Sequence, residues 1–200
     1  RRFFTAAQRM LQDEQSGYYP LIWDTITHVT LEHKLEFGMN VGYNSLNAGA
    51  RLIREQESKC GYNIPWTIAL RIDGEMWDAM AQDYKSLVEQ GKEKGIYTWM
   101  ARVRRRPEAV LPMIEKEKDC AFLLFVEPED ASDAFLDAAA QLKNMMLVVG
   151  WGEESAEICR RMRERGMLYA LFVSYDGIDD MPYDEILRDA GEMHPFITFF

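Results

Sequence analysis

Cysteine, histidine and positive charge are all scarce in this chain of 200 residues. It has three cysteines, three histidines, and 23 lysines and arginines against 33 aspartates and glutamates, which gives a net charge of −10. The cysteines, at Cys60, Cys120 and Cys159, are odd in number and widely spaced, a pattern that excludes a disulfide framework and a zinc knuckle. We therefore expect free thiols in a reducing, cytoplasmic compartment.

The shortage of positive charge and the lack of long apolar runs exclude two classes of partner. A chain this acidic repels a phosphate backbone, so we expect no nucleic-acid partner. No apolar run approaches the roughly 20 residues that span a bilayer, and the first ten residues, RRFFTAAQRM, are too short in their apolar part for a secretory signal. We expect a soluble protein without a membrane partner. The five-residue spacing of His28 and His33 is not that of helical metal ligands, and no metal or cofactor is expected.

The chain is rich in alternating apolar strands and amphipathic helices. Between Ala121 and Asp176 the strands begin near Ala121, Met145 and Tyr169, 24 residues apart. That spacing suits strand–helix units with short loops, which pair in parallel through right-handed crossovers. The sequence therefore predicts an α/β fold.

The alternation extends to both sides of this stretch. We predict a helical lead-in over residues 1–35, containing a helix at residues 3–15 and an ambiguous segment at residues 21–31, and one domain over residues 36–200. In that domain the pattern predicts four further strands, at residues 36–41, 66–72, 97–103 and 196–200. Helices are predicted at residues 45–59, at residues 76–94 with Gly95 as a left-handed cap, and after Pro107.

Two architectures accommodate seven parallel strands: a (β/α) barrel of the TIM type, here incomplete, and an open doubly wound sheet. An open sheet covered on both sides has apolar residues on both strand faces. The strand at residues 66–72 instead alternates, with Ala69, Arg71 and Asp73 on one face. A polar inner face is typical of a barrel, so we predict the incomplete barrel and keep the open sheet as the alternative.

In both architectures ligands bind beyond the carboxyl ends of the strands. The predicted strand ends carry Asp73, Glu127 and Asp176, which are candidate catalytic residues because two carboxyl groups can act as acid and as nucleophile or base on a glycosidic bond. Arginine, asparagine and aromatic side chains at these ends are candidate substrate-binding residues, namely Asn40, Arg71, Trp77, Arg102, Trp151 and Tyr175. The ligand would be a small molecule or a glycan.

Some of these charges have simpler explanations. Acidic and hydroxyl residues after a strand, such as Ser132, also cap the next helix. The run Arg104–Pro107 could clamp a phosphate or carboxylate group. We favour a solvated helix start, or pairing with the acidic strand ends, for that run because the chain is acidic overall.

Two sets of short motifs resemble known barrel families. Gly38-Met39-Asn40 and Val126-Glu127-Pro128 resemble the barrel glycoside hydrolases of the retaining clan, in which an Asn-Glu-Pro carries the acid/base glutamate. That resemblance implies Glu127 as general acid/base, although Val126 replaces the asparagine and the last strand has no glutamate. Asp73-Gly74-Glu75 is similar to the Gly-Gly-Glu of the radical-SAM partial barrel. Because the loop NVGYNSLN lacks the three cluster cysteines, this resemblance implies a catalytically silent relative.

Two functions follow from these observations. The first is a barrel enzyme, of glycoside hydrolase type, that acts on a carbohydrate or polyol by carboxylate acid/base chemistry. The alternative is a noncatalytic (β/α)-barrel binding or scaffolding module, including a cluster-free radical-SAM-like barrel. The chain begins at Arg1 and stops at Phe200 inside an apolar segment. We therefore expect a piece of a longer polypeptide, with a further domain or subunit covering the barrel edge.

Overall fold

A parallel β-sheet forms the centre of the protein. The computed structural model describes residues 9, 15, 18–175, 177 and 182–200. The sheet has six strands hydrogen-bonded in chain order, all parallel. They are β1 (Thr67–Asp73), β2 (Thr98–Arg104), β3 (Ala121–Val126), β4 (Met145–Gly150), β5 (Tyr169–Phe172) and β6 (Thr198–Phe199). The α/β class is confirmed, whereas a closed barrel is not, because β1 and β6 each have a single neighbour within the described ranges.

Helices flank this sheet. They are α1 (Tyr18–His28), α2 (Leu31–Met39), α3 (Ala50–Cys60), α4 (Trp77–Lys94), α5 (Leu111–Lys116), α6 (Asp133–Ala139), α7 (Ser155–Glu164) and α8 (Tyr183–Met193). A π-helical segment, Asn40–Gly49, joins α2 to α3, and short 3₁₀ turns lie at Gly74–Met76, Pro107–Val110 and Pro128–Asp130. None of the helices described is both long enough and apolar enough to cross a lipid bilayer.

Local sequence signals set several of these boundaries. Gly95 ends α4 in the left-handed conformation, with φ of 96°, as predicted. The side chain of Ser132 accepts a hydrogen bond from the N–H of Phe135 and so caps α6. Pro107 occupies the first position of its 3₁₀ turn, where its missing N–H costs no hydrogen bond.

The two faces of the sheet have different coverings. One face packs against the crossover helices in the larger core, where Trp99, Phe122 and Leu147 are fully buried. Each such side chain stabilises the fold by about 1.5–3 kcal/mol through removal of apolar surface from water. The other face carries a smaller cluster that includes Phe125 and Phe172, to which Phe37 from α2 contributes.

The strand predicted at residues 36–41 is wrong, since these residues lie in α2 and the π-helical segment, so six strands are described and not seven. The buried side chains there are His33, Phe37 and Asn40, at helical spacing. Because two of the three are polar, the spacing of the apolar residues alone does not indicate a helix. The ambiguous segment at residues 21–31 is mostly helical, in α1. The helix predicted at residues 3–15 lies outside the described residues, apart from Arg9 and Gln15.

The stretch formed by α2 and the π-helical segment crosses the amino ends of the strands. Its buried polar groups bind the backbone where strands begin: Nε2 of His33 donates to the carbonyl of Met145 at 2.6 Å, and Nδ2 of Asn40 donates to the carbonyl of Cys120 at 2.9 Å. Burial lowers the pKa of His33 to about 4. The amino end of the sheet is therefore closed, and the carboxyl end is where a ligand could enter. The division of the chain into residues 1–35 and 36–200 stays a prediction.

Candidate functional site

Alternation along β1 and β2 builds a layered surface on the face opposite the crossover helices. Leu70 and Ile72 of β1 point into the larger core, so the residues between and beyond them face the other way. The register of the two strands sets these outward residues side by side in three rows, Ala69 with Met100, Arg71 with Arg102, and Asp73 with Arg104. The rows change from apolar to cationic to mixed charge towards the carboxyl end.

This face of the sheet is strongly concave. The ring of Phe125 in β3 lies 5.7 Å from that of Phe172 in β5 and 5.5 Å from that of Phe199 in β6. Strands β3 and β6 are three positions apart, which in a flat sheet corresponds to about 14 Å at the usual strand spacing. Side chains of the outer strands therefore converge on one space.

That space is a cavity of about 350 Å³ on the concave face, named here the apolar cup. It lies within the size range of small-molecule sites. Its lining is mainly apolar, and the polar exceptions are Arg71, Arg102 and Ser174. The apolar lining consists of Ala69, Leu70, Met100, Phe125, Phe172, Val173, Phe199 and Phe200.

Arg102 joins the apolar cup to the polar strand ends. Its Nη2 donates to Oε1 of Glu127 at 2.8 Å, and its Cζ lies 5.1 Å from the centroid of the Phe172 ring. A guanidinium over an aromatic face is attracted by the quadrupole of the ring. The Nε of Arg102 is buried and has no hydrogen-bond partner in the described part of the chain. Arg102 is thus held in place while its buried Nε donor stays unused.

A second cavity, of about 250 Å³, adjoins the cup and shares Arg71 and Arg102 with it. The rest of its lining is Ile72, Asp73, Arg104 and Arg105. We call it the arginine cavity. Arg105 forms ion pairs with Asp73 and, at 2.5 Å, with Glu75.

The structure brings together four of the predicted site residues. Arg71, Asp73, Arg102 and Glu127 lie at the carboxyl ends of β1, β2 and β3, around the cup and the arginine cavity. Tyr175 follows β5 and is exposed. Asp176 lies outside the described residues. The roles assigned to these residues stay predictions.

Three predicted site residues lie elsewhere. Asn40 was placed at the end of a strand that does not exist, and it lies at the opposite, amino end of the sheet. Trp77 is buried in the larger core, stacked on Tyr84. Trp151 donates from Nε1 to Asp189 at 3.1 Å and packs against Val173 and Ile186, and it does not line either cavity. Both tryptophans follow a strand, as predicted, but Trp77 begins α4 and packs into the larger core, whereas Trp151 lies before α7 and packs against α8.

Most of the residues that form the cup are not among the predicted site residues. Met100 and Phe125 each lie two positions before a charged residue, and Phe172 is the last residue of β5. All three lie on the same face of the sheet as Arg71 and Arg102. Alternation counted outward from those two arginines would have found them. β3, β4 and β5 are apolar on both faces, so composition alone could not separate the concave face from the core.

Metal binding has no support from the geometry. Among the described residues, no group of three or more His, Cys, Asp and Glu side chains is placed to hold a metal ion. The thiols of Cys120 and Cys159 are buried, and burial raises the pKa of each to about 12.

Comparisons of the chain with models of protein families, with curated proteins and with solved structures find no match.

Proposed function

We propose that the protein is a small-molecule-binding module whose ligand has an apolar body and an anionic group. One observation carries this proposal: an apolar cavity of about 350 Å³ opens beside two arginines at the carboxyl ends of parallel strands. The apolar body fills the cup against Met100, Phe125 and Phe172. The anionic group meets Arg71 and Arg102.

The proposed architecture is an incomplete (β/α) barrel. Its support is the strand order, which follows the chain without reversal, and the contact of Phe125 with Phe199 across the concave face. A doubly wound sheet reverses its strand order at a switch point. The open sheet remains the alternative, because it too has parallel strands flanked by helices.

The charge balance favours an anion over a neutral ligand. The chain has ten more acidic than basic residues, and Arg102 and Arg105 at the ends of the strands each pair with a carboxylate. Within the described residues the guanidinium group of Arg71 has no such partner, and it faces both cavities. A ligand carboxylate or phosphate would supply the missing charge, with the two-pronged geometry that a guanidinium group prefers.

The test uses the methyl groups of methionine as reporters in NMR spectra. Met100 lines the cup, whereas Met113 is fully buried in the larger core. With phenylbutyrate as the probe, we expect the Met100 signal to shift and saturate while that of Met113 stays in place. Phenylbutylamine, which has the same apolar body and the opposite charge, should bind more weakly.

A pair of variants makes the test specific for the cup. Ala69→Trp fills the cavity and should abolish the shift of Met100. Ala138→Trp adds the same bulk to an exposed position of α6 and should leave binding unchanged. A Met100 signal that responds to neither probe at any soluble concentration contradicts the proposal, as does equal binding by Ala69→Trp.

The carbohydrate-active enzyme stays a hypothesis. It requires a second carboxyl group about 5 Å or 6.5–9.5 Å from that of Glu127, the separations used by retaining and inverting enzymes. Of the two candidates, Asp73 is engaged by Arg105 and Asp176 lies outside the described residues. The noncatalytic binding module needs no such pair.

A further inference from the structure

The arginine cavity holds an unusual concentration of positive charge for an acidic protein. Four guanidinium groups, from Arg71, Arg102, Arg104 and Arg105, line a space of about 250 Å³, and Asp73 is the one carboxylate in the lining. The remaining lining residue is Ile72. The cavity therefore concentrates positive charge, although the chain as a whole is negatively charged.

Three carboxylates near this cavity are already used by two of the four arginines, whereas Glu129 and Asp130 line an adjoining cavity with Arg104 and Arg105 and form no ion pair in the described part of the chain. Glu127 pairs with Arg102, and both Asp73 and Glu75 pair with Arg105. Arg71 and Arg104 form no ion pair with any residue that the structure describes. They come from neighbouring strands and line the same cavity, so one ligand group could contact both.

The loop after β2 is fixed, which keeps Arg104 at this position. The backbone N–H of Arg105 donates to Oδ2 of Asp130 at 3.1 Å, and the carbonyl of Arg105 lies against Gly74 so closely that a Cβ there would be 2.0 Å away. Arg105 and Arg106 both have positive φ, 58° and 47°. Contacts from the ends of β1 and β3 thus hold the loop from both sides.

We infer that the arginine cavity binds a phosphate group, so that the ligand of the cup is an apolar or aromatic phosphate ester. A phosphate monoester carries about −1.5 to −2 charges at neutral pH, which matches two unpaired guanidinium groups better than a single carboxylate does. Its oxygens accept paired N–H donors from more than one arginine. Because the two cavities share Arg71 and Arg102, the ester bond would lie between them. The inference rests on the proposed function in taking the cup as the place of the apolar body.

The test compares two probes with the same apolar body on the 200-residue chain. Phenylbutyl phosphate and phenylbutyrate are titrated at neutral pH, with the Met100 methyl signal and calorimetry as readouts. We expect the phosphate ester to bind about tenfold more tightly, since it gains a second guanidinium contact. Its affinity should also fall more steeply with salt concentration.

Two variants of one loop supply the matched control. Arg104→Ala should weaken phenylbutyl phosphate about tenfold and leave phenylbutyrate nearly unchanged, because a carboxylate reaches only one side of the cavity. Arg106→Ala removes an arginine of the same loop that does not line the cavity, and it should alter neither affinity. Thermal unfolding of both variants shows whether the fold is kept.

The possible failures are distinguishable. Equal affinity for the two probes, with no effect of Arg104→Ala and a responding Met100, overturns the phosphate subsite and leaves the proposed function standing. If instead inorganic phosphate binds in a manner that depends on Arg71 and Arg104 while Met100 responds to neither probe, the subsite is supported and the cup as a ligand site is contradicted.

Discussion

Arg102 and Glu127 form an ion pair of 2.8 Å between the ends of two neighbouring strands, β2 and β3. The other carboxylate oxygen of Glu127 faces Gly150 of β4, where a Cβ would lie 3.1 Å from it. Glu127 is therefore enclosed between a guanidinium group and a glycine. In catalysis or in binding, the carboxylate would therefore act with Arg102 bound to one of its oxygens.

The variant Glu127→Gln separates the enzyme from the binding module. If Glu127 is the general acid/base of a carbohydrate-active enzyme, turnover of aryl glycosides should fall by about 10²-fold or more, the usual contribution of such a group. The ion pair is partly exposed, so we expect loss of no more than about 1 kcal/mol of the free energy of unfolding.

The same variant should strengthen the binding of phenylbutyrate, because Arg102 loses its competing carboxylate. Calorimetry measures this change, and Glu129→Gln, at a neighbouring carboxylate that does not pair with Arg102, is the control. Measurable wild-type turnover that survives in Glu127→Gln would rule out the catalytic role.

The curvature of the sheet can be checked by a double-mutant cycle. Phe125 and Phe199 belong to strands three positions apart, and their rings lie at 5.5 Å. We expect a coupling of about 0.5–1.5 kcal/mol between Phe125→Leu and Phe199→Leu, which is typical of aromatic pairs in contact. Urea denaturation of the four proteins gives this value, and additive effects would mean that the rings do not meet.

Gly74 should tolerate no side chain. A Cβ at this position would lie 2.0 Å from the carbonyl oxygen of Arg105, which is backbone and cannot move aside. We expect Gly74→Ala to lower the free energy of unfolding by about 1–3 kcal/mol, as overpacked sites do. Gly152→Ala is the matched control, since nothing lies within 4 Å of a Cβ there. Equal stability of the two variants would contradict the close contact.

The buried imidazole of His33 makes stability depend on pH. Burial, with a smaller contribution from Lys143, outweighs the hydrogen bond to Met145 and lowers the pKa from 6.5 to about 4. Above pH 6.5 the ring is neutral in both states. Between about 6.5 and 4 the unfolded chain binds a proton that the folded chain does not, so stability falls as the pH falls.

The size of this effect follows from the pKa difference. At about 1.4 kcal/mol per unit, His33 contributes up to about 3 kcal/mol of this loss by pH 4. His33→Gln should be less stable at neutral pH but lose part of the pH dependence. Denaturation at a series of pH values measures the difference, and curves of equal slope would exclude His33 as the cause.

Local signals in the sequence were sufficient for most of the sheet. The strands β1 to β5 begin within a residue or two of their predicted positions, because each is an apolar or alternating run that follows a clear helix end such as Gly95. The segment at residues 36–41 failed because its inward residues include His33 and Asn40, whose hydrogen bonds to strand backbones replace apolar contacts. Such a pairing depends on distant residues, and no local pattern reveals it.

The candidate site was predicted in part for a related reason. Arg71, Arg102 and Glu127 stand out as charges at the ends of apolar strands. Phe125, Phe172 and Phe199 look like core residues in sequence, and they line a cavity only because the sheet curves. Likewise, the sequence does not show that Arg104 is unpaired, because this depends on the carboxylates pairing with Arg102 and Arg105 in the folded structure.

The helical stretch at the amino ends of the strands also bears on the order of folding. Its hydrogen bonds join residues far apart in the chain, with His33 and Met145 separated by 112 positions and Asn40 and Cys120 by 80. Closing such long loops is entropically unfavourable until their far ends are already fixed. During synthesis the stretch leaves the ribosome before β3 and β4, and its binding partners arise only when those two strands have paired. We therefore expect it to dock late, as the step that completes the native state.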